Sequence, residues 1–148
     1  MKRGLLVLSL FFSLCAASAP PPPLTMDEVR REVNPLRRFD KALRLAEQRL
    51  ADAWKLVREE GPRAAFEAAL GEIVDASQLA LESLQATGRR PSKLSRQYKR
   101  GEIRTRGFER SLKEIGMAVS FDERAHVEQA RQRMAEIHEK FLQGVMAR

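Results

Sequence analysis

Residues 34–57 read NPLRRFDKALRLAEQRLADAWKLV. Within them Leu36, Phe39, Leu43, Ala46, Leu50, Ala53 and Val57 recur at alternating steps of three and four. That spacing places the apolar side chains in one stripe and the charged ones opposite, the pattern of a helix laid lengthwise on other helices. Asn34 offers a side-chain acceptor to the free amides of the first turn, and Pro35 takes the first helical position, where a missing N–H costs little. Leu45, Trp54 and Leu56 lie beside the stripe and widen it, which predicts more than one packing neighbour.

Upstream, Thr25-Met26-Asp27-Glu28 fits a capping box and predicts a short helix running to about Val33. Downstream, Gly61-Pro62 is expected to end the first long helix, with Gly61 left-handed at the position after the cap and Pro62 in the first turn of the next. So short a link predicts an antiparallel hairpin. Phe66, Leu70, Ile73, Ser77, Ala80 or Leu81, and Leu84 continue the same period until Gly88 and Pro91 break it. A third stripe begins at Leu94 and Tyr98 and resumes at Phe108, Leu112, Ile115 and Val119, so a bend or break is expected between Gly101 and Gly107. Ser120-Phe121-Asp122-Glu123 is a second capping box, leading into Val127, Ala130, Met134, Ile137, Phe141 and Val145.

No hairpin dipeptide separates alternating segments, so nothing after the first residues reads as a sheet. The expectation is an all-α fold, an antiparallel bundle of about four helices filling residues 25–148 as one domain. Helices of this length are marginal alone, so their stripes are buried within the monomer or across a homodimer.

The start of the chain has a different composition. Met1-Lys2-Arg3-Gly4 is positive, and Leu5 to Leu14 (LLVLSLFFSL) is an apolar run too short for a stable membrane anchor. Small residues follow at Ala16, Ala17, Ser18 and Ala19, and Pro20 disfavours cleavage after Ala19. Residues 1–18 are therefore read as a signal peptide cut after Ala17 or Ser18, and residues 19–24 as a stiff Pro-rich spacer. Cys15 is the only cysteine; lipidation there needs a small residue before it, and bulky Leu14 argues against a lipoprotein. The expected product is periplasmic or extracellular and free of cysteine, which removes disulfides, thiolate nucleophiles and cysteine-held metals.

Charge is the one anomaly. Net charge is +7; losing Lys2 and Arg3 leaves 25 basic against 20 acidic residues, or +5. Residues 88–113 alone hold ten basic residues against Glu102 and Glu109, a local +8, so the rest sums to −3. Glu102 with Arg106 and Glu109 with Lys113 have the favourable i,i+4 spacing, whereas Arg96, Arg100 and Arg104 stack like charges at that spacing. Their compensation must come from a neighbouring helix, for which Glu59, Glu60, Glu67, Glu72 and Glu82 are candidates, or from an outside anion. The candidate binding residues are Arg89, Arg90, Lys93, Arg96, Arg100 and Arg104. Export disfavours nucleic acid, and only Tyr98 and Phe108 are there to stack on bases, so anionic envelope components, acidic proteins or a peripheral membrane contact fit better.

No catalytic constellation stands out, and no enzyme activity or cofactor is expected. Glu123 and His126 make half of a helical di-metal motif, but Ala135 precedes His138 where a second Glu would stand. A metal or haem carrier using His126 or His138 is the alternative from another class. Leu24-Thr25 followed by Glu28 resembles the Leu-Thr-x-x-Gln signature of periplasmic helical chaperones, with Glu for Gln and a single copy. The resemblance implies a chaperone for unfolded clients as a further alternative, and it covers too few residues to assign the family.

Overall fold

A computed structural model describes residues 23–147. The expected signal peptide, with Cys15 and the cleavage site, and most of the Pro-rich spacer lie outside them. The fold is all-helical: α1 (Met26–Arg31), α2 (Pro35–Arg58), α3 (Arg63–Gln85), a 3-10 turn (Pro91–Leu94), α4 (Ser95–Ala118) and α5 (Phe121–Met146).

The helix starts follow local chemistry. The Thr25 amide donates to the Glu28 carboxylate at 2.9 Å while the Glu28 amide donates back to the Thr25 hydroxyl at 3.3 Å. The Asn34 side chain accepts from the Leu36 and Arg37 amides at 3.0 and 3.1 Å, with Pro35 in the first turn. At α5 the Glu123 carboxylate accepts from the Ser120 amide at 3.2 Å and its hydroxyl at 2.7 Å. Each contact satisfies an amide or hydroxyl that helix geometry leaves without a partner.

Three local expectations are corrected. The first hairpin turns on Glu60, whose φ is 51°, and not on Gly61. Gly61 is small for another reason: a Cβ there would overlap the Leu56 side chain. Pro62 caps α3 with extended ψ (131°) and does not enter its first turn. The predicted break near Gly101 to Gly107 is absent, and α4 runs unbroken through both. Packing overrides the low helix propensity of Gly101, because the Phe141 ring takes the space a Cβ would fill.

Residue pairs fix the helix directions. Arg38 donates to Ser83 at 3.0 Å and Arg49 to Glu72 at 2.5 Å, so α2 and α3 are antiparallel. Gly144 lies by Tyr98, Phe141 by Gly101, and His138 by Thr105, so α4 and α5 are antiparallel too. Across the two hairpins the sense is parallel. Asp40 meets Arg100 and Glu47 meets Arg104 between α2 and α4, while Glu67 meets His126 and Asp75 meets Arg133 between α3 and α5. The helices surround the core in the order α2, α3, α5, α4. Two helices adjacent in sequence, α3 and α4, therefore stand on a diagonal, and the link 86–94 must cross one end of the bundle.

The stripes meet inside. Phe39, Leu45, Ile73, Leu84, Leu112, Ile115, Met134 and Phe141 are fully buried. Full burial of side chains of this kind contributes roughly 1.5–3 kcal/mol each. Phe141 is the hub of one end, 6.4 Å from the Phe39 ring and edge-on to Tyr98 at 6.1 Å. Such tilted pairs suit the ring quadrupoles. Leu45 faces the core, and Trp54 and Leu56 pack against it from its margin.

Candidate functional site

The link from α3 to α4 carries the start of the basic segment. Gly88 reverses the chain with φ 66°, Pro91 opens the 3-10 turn, and Leu94, 1% exposed, pins that turn into the core. Between these anchors Arg89, Arg90 and Lys93 are held outward over the end of the bundle, followed by Arg96 at the start of α4. From Ser83 to Gly101 no acidic residue occurs. Arg89 and Arg90 follow the carboxyl end of α3, where a cation is favoured. Lys93 and Arg96 sit at the amino end of α4, where the helix dipole disfavours one and no first-turn acid offsets it.

The six candidate binding residues divide into two groups. Arg100 pairs with Asp40 and lies over the Phe39 ring, its guanidinium carbon 5.1 Å from the centroid. Arg104 pairs with Glu47 at 2.5 Å. Both are held by α2 in a shallow groove that Leu43 and Arg44 complete. Among the described residues Arg89, Arg90, Lys93 and Arg96 make no ion pair, and all four are exposed. The like-charge stack of Arg96, Arg100 and Arg104 is thus relieved for two members and not for the first.

The acids that compensate Arg100 and Arg104 were not those expected from sequence. Glu67 instead holds Arg63 at 2.7 Å, Glu72 holds Arg49, and Glu82 accepts from Gln78. Among the described residues Glu59 and Glu60 pair with nothing. The reason is topology: the parallel neighbour of α4 is α2, so acids near the start of α2 reach it, whereas those at its end do not. Glu109 likewise meets Arg131 of α5 at 3.4 Å and not Lys113. The Glu102 to Arg106 pair does form, and Lys99 joins it at 3.0 Å. Burial pushes the Glu102 carboxyl up, but Lys99 and Arg106 outweigh it and leave the group below its usual value.

The two histidines are apart. His126 Nε2 lies 3.3 Å from Glu67 and 3.2 Å from the Arg63 guanidinium, between α3 and α5. Glu123, its expected partner on the same face, is used in capping Ser120. His138 Nδ1 lies 3.3 Å from the Thr105 hydroxyl between α4 and α5. Neither arrangement was visible in the sequence, because both bridge separate helices. Among the described residues no three His, Cys, Asp or Glu side chains group as a metal would require, and no helix is long and apolar enough to cross a membrane.

Compared with protein-family models, with curated proteins and with solved structures, the chain matches none.

Proposed function

We propose that this is an exported, non-enzymatic helical bundle that binds an anionic partner through the basic segment 88–113. One observation carries the reading: Arg89, Arg90, Lys93 and Arg96 project from the end of the bundle without a carboxylate among the described residues. Fixing four exposed cations together on a pinned link and the first turn of α4 costs electrostatic energy that an arriving anion would recover. Arg100 and Arg104 take a secondary part, since Asp40 and Glu47 already hold them. Export rests on the apolar run at residues 5–14 behind Lys2 and Arg3, and places the partner in the cell envelope or outside.

Retention on an immobilised polyanion such as heparin, eluted with increasing salt, tests the reading. The wild-type protein should elute at clearly higher salt than a variant with Arg89, Arg90, Lys93 and Arg96 all changed to Gln. Coincident elution of the two proteins would remove this segment from the binding surface.

A further inference from the structure

The end of the bundle that carries the free cations also exposes apolar side chains. Val33, 88% exposed, immediately precedes the Asn34 cap of α2, and Arg38 of that helix reaches Ser83, so Val33 stands near the close of α3 and its link to α4. Met146, 71% exposed, ends α5, whose Gly144 lies against Tyr98 in the first turn of α4. Topology has therefore gathered Val33, Met146, Arg89, Arg90, Lys93 and Arg96 at one end. Of the acids near this end, Glu32 pairs with Lys41 at 2.6 Å and Asp40 with Arg100, while Glu82 in the last turn of α3 accepts from Gln78 and is outnumbered by the four cations. At the opposite end Met117 and Phe121 are also exposed, but there Glu114, Asp122 and Glu123 outnumber Lys113 and Arg124, so no cluster of cations accompanies them.

We infer that this end of the bundle docks flat on an anionic lipid bilayer, the cations meeting headgroup phosphates while Val33 and Met146 enter the boundary between headgroups and acyl chains. The inference rests on the anion-binding reading above and narrows it to one partner. A soluble polyanion or an acidic protein loop needs only the charges; a bilayer interface rewards apolar side chains set among them. The contact is peripheral, since among the described residues no helix is long and apolar enough to span.

Co-sedimentation with vesicles tests it, using the processed protein with its N-terminus established by mass spectrometry. Vesicles of phosphatidylglycerol mixed with phosphatidylcholine should bind it, and vesicles of phosphatidylcholine alone should not. Each cation lost should weaken binding roughly fivefold, so the Arg89, Arg90, Lys93 and Arg96 to Gln variant should lose about a hundredfold or more. Val33→Ser with Met146→Ser should weaken vesicle binding about tenfold yet leave heparin retention unchanged. All six positions are at the surface, and an unchanged helical circular dichroism spectrum establishes that the variants fold. Heparin retention without vesicle binding, or vesicle binding indifferent to the Ser pair, would overturn the bilayer inference while leaving the anion reading intact. Binding to neither probe would overturn both.

Discussion

The Phe141 ring lies against the backbone of Gly101, in the space a Cβ would occupy, and three residues further along α5 Gly144 receives the Tyr98 ring in the same way. The two contacts lock α4 to α5 at the end of the bundle where the basic link crosses. They explain why two glycines stand in helices whose propensity they lower.

Gly101→Ala should therefore destabilise the fold. Ala favours the helix by about 1 kcal/mol, but displacing a ring that is fully buried costs about 1–3 kcal/mol, for a net loss of up to about 2 kcal/mol. Gly107 sits in the same helix with nothing within 4 Å of its notional Cβ, so Gly107→Ala should stabilise by about 0.5–1 kcal/mol. Urea unfolding followed by circular dichroism reads both. The opposite signs are the test, since a propensity effect alone would move both midpoints upward.

What was legible in the sequence was what neighbours in the chain decide. Thr25 with Glu28, Asn34 with Pro35, and Ser120 with Glu123 cap helices across three residues or fewer, and the structure places them as read. Stripes such as Val127, Ala130, Met134, Ile137 and Phe141 follow from the helical period and are buried. Gly101 misled because its role is set by Phe141, forty residues away, and no local signal separates a packing glycine from a breaking one. The partners of Arg100 and Arg104 were hidden for the same reason. Reading them requires knowing that α2 and α4 are parallel neighbours, and an antiparallel arrangement would have brought the acids at the far end of α2 into reach. The like-charge stack did signal that some carboxylates had to be near, without saying which.

Glu102 predicts an acid-sensitive component of stability. Its side chain is 4% exposed between Lys99 and Arg106, and the two cations hold the carboxyl below its usual value despite burial. A group whose proton affinity falls on folding stabilises the fold above the unfolded value near 4.5, and that contribution disappears as the pH drops through the lower folded value. Glu102→Gln should cost about 1 kcal/mol at neutral pH, a modest figure because Lys99 and Arg106 are half exposed and return to water when released. The gap between wild type and variant should narrow below pH 4.5 in urea titrations. A gap of constant size across that range would mean that the carboxylate charge contributes nothing.

Asp40 and Glu47 predict a gain of binding on removal. They neutralise Arg100 and Arg104, which lie one and two helical turns beyond Arg96 on the same face of α4. Asp40→Asn with Glu47→Gln releases both guanidinium groups and extends the unpaired row from the link along the helix. Stability should change by no more than about 1 kcal/mol, because both pairs are about half exposed. Heparin elution should move to higher salt. Asp75→Asn with Glu114→Gln makes the same change in net charge away from the row, with Asp75 paired to Arg133 between α3 and α5. It should shift elution less. Long-range attraction depends on total charge, whereas contact within a screening length of about 8 Å depends on where the charges stand. Equal shifts from the two double variants would show that the protein is retained by net charge alone, and that the arrangement of cations on the link and α4 does not select its partner.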